Sequence, residues 1–303
     1  MIKGYYLSIA TICVLLISCK QDTPTPSEKL KVRIEDQISQ IEGDVAVAFL
    51  NLSNKNDSLF INIDEEFHAA STMKVPVMIE LFKQQAEGKF NLKDTIVLKN
   101  EFKSIVDGST YSMDIADDSD DVVYSKIGSK ITLHDLMVPM ITVSSNLATN
   151  VLIEMVDAKK VTQTMRDLGA NKIEVLRGVE DQKAYDQGLS NSTTARDLLA
   201  IMKAISQGEA GTKEDTEIML NILKAQEWND MIPLYLPKQV VVAHKTGSIT
   251  GVHHDAAIVY PPNSSSYVLV LLSKNLKDFD RGTQQLAEIS KTIYDYMVAD
   301  SIE

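Results

Sequence analysis

The sequence predicts an α+β fold of the α/β sandwich type, a five-stranded antiparallel sheet flanked by helices with an inserted all-helical lobe. Three observations lead to this prediction. Two apolar strands form a hairpin near the N-terminus, three further strands precede the last helix, and the long block between them is mostly helical in pattern. Strands at both ends of a domain with helices between them indicate one sheet interrupted by a helical lobe.

The first helix and the hairpin follow from local pattern. Apolar residues recur at helical spacing over residues 30–41, which predicts an amphipathic helix. The β-branched content of residues 44–52 predicts a buried strand, and residues 58–63 return as its partner after a polar turn at 54–57.

The middle of the chain is predicted from apolar periodicity and helix start and stop signals. A buried helix begins around Ser71 and stops at Gly88, whereas residues 89–130 carry short elements and an acidic cluster over 114–121 that predicts a solvated loop. The long polar loop over 171–192 is expected to be functional or disordered. Further helices are expected in residues 132–139, 140–156, 161–168, 193–202 and 214–223.

The C-terminal part completes the predicted sheet. Strands over residues 240–245, 255–260 and 267–273 form an antiparallel meander, and residues 284–298 form a closing helix. A cleft between this sheet and the helical lobe is the natural place for a functional site.

Composition limits the function classes. The 303 residues are 44% hydrophobic and 24% charged, which is typical of a large globular domain. The formal net charge of −12 argues against nucleic acid as a partner. No glycine-rich nucleotide motif occurs, and the five His and two Cys show no metal-ligand spacing, so neither a cofactor nor a metal is expected.

The N-terminus is predicted to be a targeting signal. Lys3 precedes an apolar run over residues 7–17 that is short for a membrane span. The run ends in Ser18-Cys19, which resembles the bacterial lipoprotein cleavage box, so Cys19 is the expected lipidation site. The expected location is therefore the periplasm or cell envelope, with the protein anchored to the membrane through Cys19.

The predicted domain organisation follows from this signal. Residues 1–19 are the lipoprotein signal peptide, residues 20–29 a flexible tether, and residues 30–303 the catalytic domain. Within that domain, the α/β part covers about 30–70 and 210–303, and the helical lobe covers about 71–209.

The first candidate site is Ser71 with Lys74, at the start of the buried helix. Residues three apart on a helix lie on one face, so the hydroxyl and the ammonium are within reach of each other. Burial disfavours the charged form of a Lys, and a hydroxyl beside such a Lys is one form of activated nucleophile. A capping Ser71 with a solvated Lys74 is the alternative.

Two other stretches have the character of sites. Ser144-Ser145-Asn146 interrupts an apolar run with polar side chains, and buried polar groups must find partners. Lys245-Thr246-Gly247 is predicted at a strand end, where a cation, a hydroxyl and an open backbone edge are suited to hold a carboxylate and an acyl chain. His244, just before this triplet, is expected to pack against neighbouring strands.

Together these motifs identify a resemblance. Ser71-x-x-Lys74, Ser144-x-Asn146 and Lys245-Thr246-Gly247, in this order, resemble the S-x-x-K, S-x-N and K-T-G motifs of the serine penicillin-recognising enzymes. Within that superfamily, residues 30–300 are most similar to class A β-lactamases, a β-lactamase/transpeptidase-like fold. The expected function is therefore a serine β-lactamase that hydrolyses small-molecule β-lactams.

The resemblance implies catalytic roles. Ser71 would be the acylated nucleophile, Lys74 would assist its deprotonation, and Ser144 would pass a proton to the leaving lactam nitrogen. Glu180, in a loop at the position of the family's Ω-shaped loop, would activate the water that hydrolyses the acyl-enzyme.

The resemblance also implies substrate-binding residues. Asn146 would hold the substrate's side-chain amide, and Lys245 with Thr246 would attract its carboxylate. Gly247 completes the third motif, and the backbone N–H groups of Ser71 and Ser248 would form the oxyanion hole.

Three departures from the family pattern leave alternatives open. Arg177 lies three residues before Glu180, where the family usually has two, Ala184 replaces an Asn that helps to hold the deacylating water, and Ser145 replaces an Asp. The alternatives are a class A-like serine hydrolase or penicillin-binding protein with slow deacylation, and a non-catalytic envelope-binding lipoprotein. A monomer is expected in each case.

Overall fold

The computed structural model describes Met1 and residues 25–299, so Cys19 lies outside the described part. The helices within that part are α1 (Pro26–Ser39), α2 (Lys74–Ala86), α3 (Leu133–Thr142), α4 (Asn146–Val156), α5 (Ala158–Asp167), α6 (Gln182–Asp186), α7 (Ala195–Gln207), α8 (Lys213–Lys224) and α9 (Phe279–Ala299). The strands are β1 (Asp44–Asn51), β2 (Ser58–Ile61), β3 (Phe67–His68), β4 (Thr95–Val97), β5 (Phe102–Lys103), β6 (Thr110–Tyr111), β7 (Lys130–Thr132), β8 (Ser192–Thr193), β9 (Val241–Ile249), β10 (Val252–Tyr260) and β11 (Tyr267–Lys274).

The main sheet has five antiparallel strands in the order β2-β1-β11-β10-β9, which confirms the predicted fold class. N-terminal β1 pairs with C-terminal β11, so Val47 lies opposite Leu271. The two ends of the chain therefore build one sheet, and β9 forms its open edge.

Both faces of the sheet are covered, which explains why strands β1 and β11 contain unbroken runs of buried hydrophobic residues over 45–50 and 267–272. Along β11, Leu269 and Leu271 pack into a core with α1 and α9, whereas Val268, Val270 and Leu272 pack into a second core with the helical lobe. Among residues 25–299, no helix is long and apolar enough to cross a membrane.

Two local predictions are corrected. The tether predicted over residues 20–29 is wrong for residues 26–29, which already form the start of α1, because Thr25 and Glu28 make a capping box and Pro26 suits the first helical turn. The Lys245-Thr246-Gly247 triplet lies inside β9 rather than at its end, since the turn to β10 comes only at Gly251, whose φ is +71°.

Candidate active site

Ser71 lies in a tight 3₁₀ turn, Ala70–Met73, that leads into α2. Ala70, directly before it, has a φ of 45°, a backbone conformation that costs energy for a residue with a Cβ. Strand β9 approaches this turn closely, because a Cβ on Gly247 would lie only 3.0 Å from the Ser71 nitrogen. The third motif therefore needs glycine to bring β9 against the Ser71 turn.

Lys74 is fully buried at the first position of α2. Its Nζ donates to Ser144 O at 2.6 Å, to Asn146 Oδ1 at 2.9 Å and to Ser144 Oγ at 3.2 Å, so its hydrogen bonds join the first motif to the second. Burial lowers the pKa of Lys74 to about 7, against the opposing attraction of Asp118 and Glu180. A large fraction of this side chain is therefore neutral at ordinary pH.

Ser144 lies between two lysines. Its Oγ accepts from Lys245 Nζ at 3.1 Å as well as from Lys74, and its φ of 65° is left-handed. Lys245 is also fully buried, and desolvation, followed by repulsion from Lys74, holds its pKa well below the usual range. The Ser144 hydroxyl thus joins the second motif to the third.

Glu180 is linked to this network through an amide. Asn146 Nδ2 donates to Glu180 Oε1 at 2.8 Å while its Oδ1 accepts from Lys74. Burial raises the pKa of Glu180, the hydrogen bond from Asn146 opposes this, and the negative charge of Asp118 raises it further. Ala184 is buried on α6, and because its side chain is only a methyl group it offers no polar atom.

The prediction of a solvated acidic loop over residues 114–121 is wrong for part of that loop. Asp118 accepts hydrogen bonds from the backbone nitrogens of Asn146 (2.9 Å to Oδ1) and Leu147 (2.9 Å to Oδ2), at the N-terminus of α4. A carboxylate there is favoured by the helix dipole, and it holds the turn that carries Asn146. Ser145 is the N-cap residue of the same helix, and its Oγ accepts a hydrogen bond of 3.3 Å from the Ala148 nitrogen.

The segment over residues 176–192 is folded and tied to the lobe. Asn150 Oδ1 accepts from the Val179 nitrogen at 2.6 Å, and its Nδ2 donates to Val179 O at 2.9 Å. Asp181 accepts from Ser104 Oγ and from the Ile105 nitrogen, both at 2.9 Å. These contacts hold Glu180 at the cleft.

The cleft consists of two adjoining cavities of about 370 and 480 Å³. Ser71, Asp117, Asn146 and Ser248 line both of them. The first extends to Trp228 and Asp230, and the second to Arg177, Glu180 and Tyr185. Volumes of this size suit a small-molecule substrate.

The predicted site residues come together around this cleft. Hydrogen bonds join Glu180, Asn146, Lys74, Ser144 and Lys245 in one series. Ser71, Thr246, Gly247 and Ser248 line the first cavity beside this series. In the described part of the chain, no group of three or more His, Cys, Asp or Glu side chains is arranged to hold a metal ion.

Comparison with known proteins gives a family match and several relatives. Residues 29–297 match the model of the family described as "Beta-lactamase enzyme family". A β-lactamase of Phocaeicola vulgatus is 26% identical, over 98% of this chain and 96% of that protein.

Two solved structures share the fold. A β-lactamase from Sphaerobacter thermophilus is 25% identical with a TM-score of 0.75, covering 88% of this chain and 96% of that one. A mutant of PBP-A, solved as an acyl-enzyme complex with penicillin-G, is 27% identical with a TM-score of 0.76, covering 89% of this chain and 97% of that one.

Proposed function

The chain belongs to the beta-lactamase enzyme family, and from that premise we propose that it is a serine β-lactamase whose acyl-enzyme forms on Ser71. The observation that carries the assignment of roles is the series of hydrogen bonds from Glu180 through Asn146, Lys74 and Ser144 to Lys245. This series joins the groups that transfer protons in each half of the reaction.

In the acylation half, Ser71 Oγ attacks the lactam carbonyl carbon and gives its proton to the neutral amine of Lys74. The low pKa of Lys74, about 7, supports this role, because the amine form is then available at neutral pH. The N–H groups of Ser71 and Ser248 stabilise the negative oxygen of the tetrahedral intermediate. When the C–N bond breaks, the ring nitrogen takes the Ser144 hydroxyl proton, which Lys74 replaces.

In the binding step, Lys245 and Thr246 attract the carboxylate of the β-lactam, and Asn146 donates to its side-chain carbonyl. Asn146 Nδ2 carries two hydrogens, so it can donate to the substrate while it keeps its bond to Glu180 Oε1. Gly247 lets the substrate chain lie along β9 beside the Ser71 turn.

In the deacylation half, Glu180 removes a proton from water as that water attacks the ester, and it returns this proton to Ser71 Oγ as the ester C–O bond breaks, which restores both side chains. Asn146 binds only Oε1 of this carboxylate, so Oε2 can accept the proton of this water. The two halves of the reaction are then coupled through one amide side chain.

The test is turnover of a chromogenic cephalosporin by the purified protein, Ser71→Ala and Glu180→Gln. Steady turnover in the unmodified protein only, with an acyl adduct accumulating in Glu180→Gln, is the expected result. Absence of both turnover and adduct with every β-lactam tried would reject the proposal.

Ala184 favours a second candidate, a penicillin-binding enzyme of the envelope that is acylated but deacylates slowly. Its buried methyl group cannot help to hold a deacylating water. In the same assay this candidate gives a stoichiometric burst and a long-lived adduct on Ser71 in the unmodified protein.

We also propose that Cys19 carries a lipid anchor, which places a monomeric enzyme on the periplasmic or envelope side of a membrane, where it would protect the cell from β-lactam antibiotics. The Ser18-Cys19 sequence after an apolar run supports this. Fractionation of cells that express Cys19→Ala should show the protein leaving the membrane fraction.

A further inference from the structure

A segment that the mechanism does not use links the helical lobe to the sheet and to α9. Residues 226–232, here called the strap, contact the end of α3 on one side, and Asp255 of β10 and Ser290 of α9 on the other. At its far end Ile232 is buried in the core with α9, where Ser290 Oγ donates to Ile232 O at 2.9 Å. The strap therefore joins the two walls of the cleft.

At the lobe end, the strap holds the backbone directly before Ser144. Gln226 Nε2 donates to Ile141 O at 2.8 Å, and the Glu227 nitrogen donates to Thr142 O at 3.0 Å. Trp228 Nε1 reaches Val143 O at 3.3 Å. Three consecutive carbonyls that precede the catalytic turn are thus fixed by three consecutive strap residues.

At the sheet end, the strap is held by two buried side chains. His244 Nδ1 lies 2.9 Å from Asp255 Oδ1, and both side chains have almost no exposed surface (1% and 0%). Asp255 Oδ2 accepts from the Ile232 nitrogen at 3.1 Å, and His244 Nε2 lies 3.3 Å from Asn229 Oδ1. His244 directly precedes Lys245, so the anchor is part of the strand that carries the third motif.

The hydrogen bonds also define which atom of Asn229 faces His244. Asn229 Nδ2 donates to Gln226 O at 3.2 Å and to Glu227 O at 3.0 Å, so the amide oxygen must be the atom that faces His244. Both ring nitrogens of His244 then face oxygen atoms, Asp255 on one side and Asn229 on the other. A buried polar pair of this kind adds little net stability but fixes geometry when both partners are present.

We propose that the His244–Asp255 pair positions the catalytic groups: it anchors the strap, and the strap holds Ser144 against Lys245. This arrangement sets the position of Ser144 Oγ relative to Lys245 Nζ, which lies 3.1 Å away. The inference rests on the proposed function, because it assigns the pair a role in acylation of Ser71.

The experiment is a double-mutant cycle on the full chain with His244→Gln and Gln226→Ala, which loosen opposite ends of the strap. Two quantities are measured for each variant: the rate of acylation by a fluorescent penicillin, and the melting temperature. We expect each single variant to lose about tenfold in acylation rate, and the double variant to lose no more than either single one, because both break the same unit. Losses that multiply, or a lower melting temperature with normal acylation, would overturn the proposal.

The matched control is Asp197→Asn. Asp197 is an equally buried carboxylate whose hydrogen bonds within the described residues do not involve the strap; it accepts a hydrogen bond of 3.2 Å from the Lys172 nitrogen. This variant should lower the melting temperature without changing the acylation rate. Nitrogen-15 NMR of the ring supplies a readout that does not depend on activity: the His244 ring signals are expected to shift in Gln226→Ala, and unchanged signals contradict the link between the two ends of the strap. If the unmodified protein is not acylated at all, the proposed function fails, and the NMR result still decides whether the two ends of the strap are coupled.

Discussion

Three oxygen atoms surround the Lys74 nitrogen, and two of them can only accept hydrogen bonds. Ser144 O and Asn146 Oδ1 require donors, whereas the Ser144 hydroxyl can donate or accept. A neutral amine can donate to Ser144 O and Asn146 Oδ1, which leaves its lone pair for the Ser71 proton, and the ammonium then formed can donate to all three oxygens. The same geometry therefore suits both the resting amine and the ammonium that follows proton transfer.

Acylation should depend on pH through Lys74. Because its pKa is lowered to about 7, the amine that takes the Ser71 proton is lost below that pH, and the acylation rate should rise as pH increases through about 7. Rapid-mixing measurement of adduct formation in Glu180→Gln separates this step from deacylation. A rate constant that stays flat between pH 5 and 9 would contradict the role of Lys74.

Of the six residues other than glycine that have a positive φ in the described part of the chain, three lie in the site. Ala70, Ser144 and Glu180 have φ values of 45°, 65° and 61°, in the left-handed region that residues with a Cβ rarely adopt. Such conformations persist only where surrounding contacts impose them. Here those contacts include the bonds from Lys74 to Ser144 and from Asn146 to Glu180.

At the scale of elements, the segment over residues 176–192 is held by buried polar contacts rather than by an apolar core of its own. Asp181 is 2% exposed, caps α6 through the Ala184 nitrogen, and binds the turn at Ser104 and Ile105. Leaving a buried donor without such a partner costs free energy of folding. The position of Glu180, next in the chain, therefore depends on Asp181.

Asp181→Ala should slow deacylation more than acylation. The change frees the segment that carries Glu180 but leaves Ser71, Lys74 and Ser144 in place, so we expect the deacylation rate to fall by about tenfold or more. Single-turnover kinetics with a chromogenic cephalosporin measure both steps.

Asp107→Ala is the matched control for this prediction. Asp107 joins the same two segments through an exposed ion pair, 2.7 Å to Lys183, and exposed pairs contribute little. It should leave both rates within about twofold. An equal fall in both steps for Asp181→Ala would mean that the segment supports the whole cleft instead.

At the scale of the whole molecule, the sheet makes the two cores dependent on each other. Neighbouring residues of β11 point into different cores, Leu271 towards α1 and α9, and Leu272 towards the helical lobe. Neither core can lose its strands without opening the other. The chain should therefore unfold as one unit, despite its inserted lobe.

Leu271→Ala and Leu272→Ala should each destabilise the protein by about 2–5 kcal/mol, the usual range for a buried leucine. Both should shift a single urea transition, measured by far-UV circular dichroism and by the fluorescence of the chain's one Trp, Trp228 in the strap. Separate transitions for the two probes would mean that the lobe and the sheet unfold independently.

Much of this architecture could be predicted from local pattern. The strands of the sheet are apolar runs of the right length, and the three motifs occur in a fixed order along the chain. The errors came where local signals were weak. The start of α1 depends on a capping box over residues 25–28 within a polar segment, and the extension of β9 to Ile249 depends on pairing with β10.

By itself, the sequence determined the fold class, because apolar strand runs and helical apolar spacing are written in neighbouring positions, and the three motifs identified the candidate site through their resemblance to a known family. Only the tertiary structure decided how these residues are joined. Asp118 binds the Asn146 nitrogen across 28 positions, and His244 reaches Asn229 across 15. Such hydrogen bonds leave no periodic pattern in the sequence, because they form between residues that are distant in the chain and become neighbours only when the loops are folded.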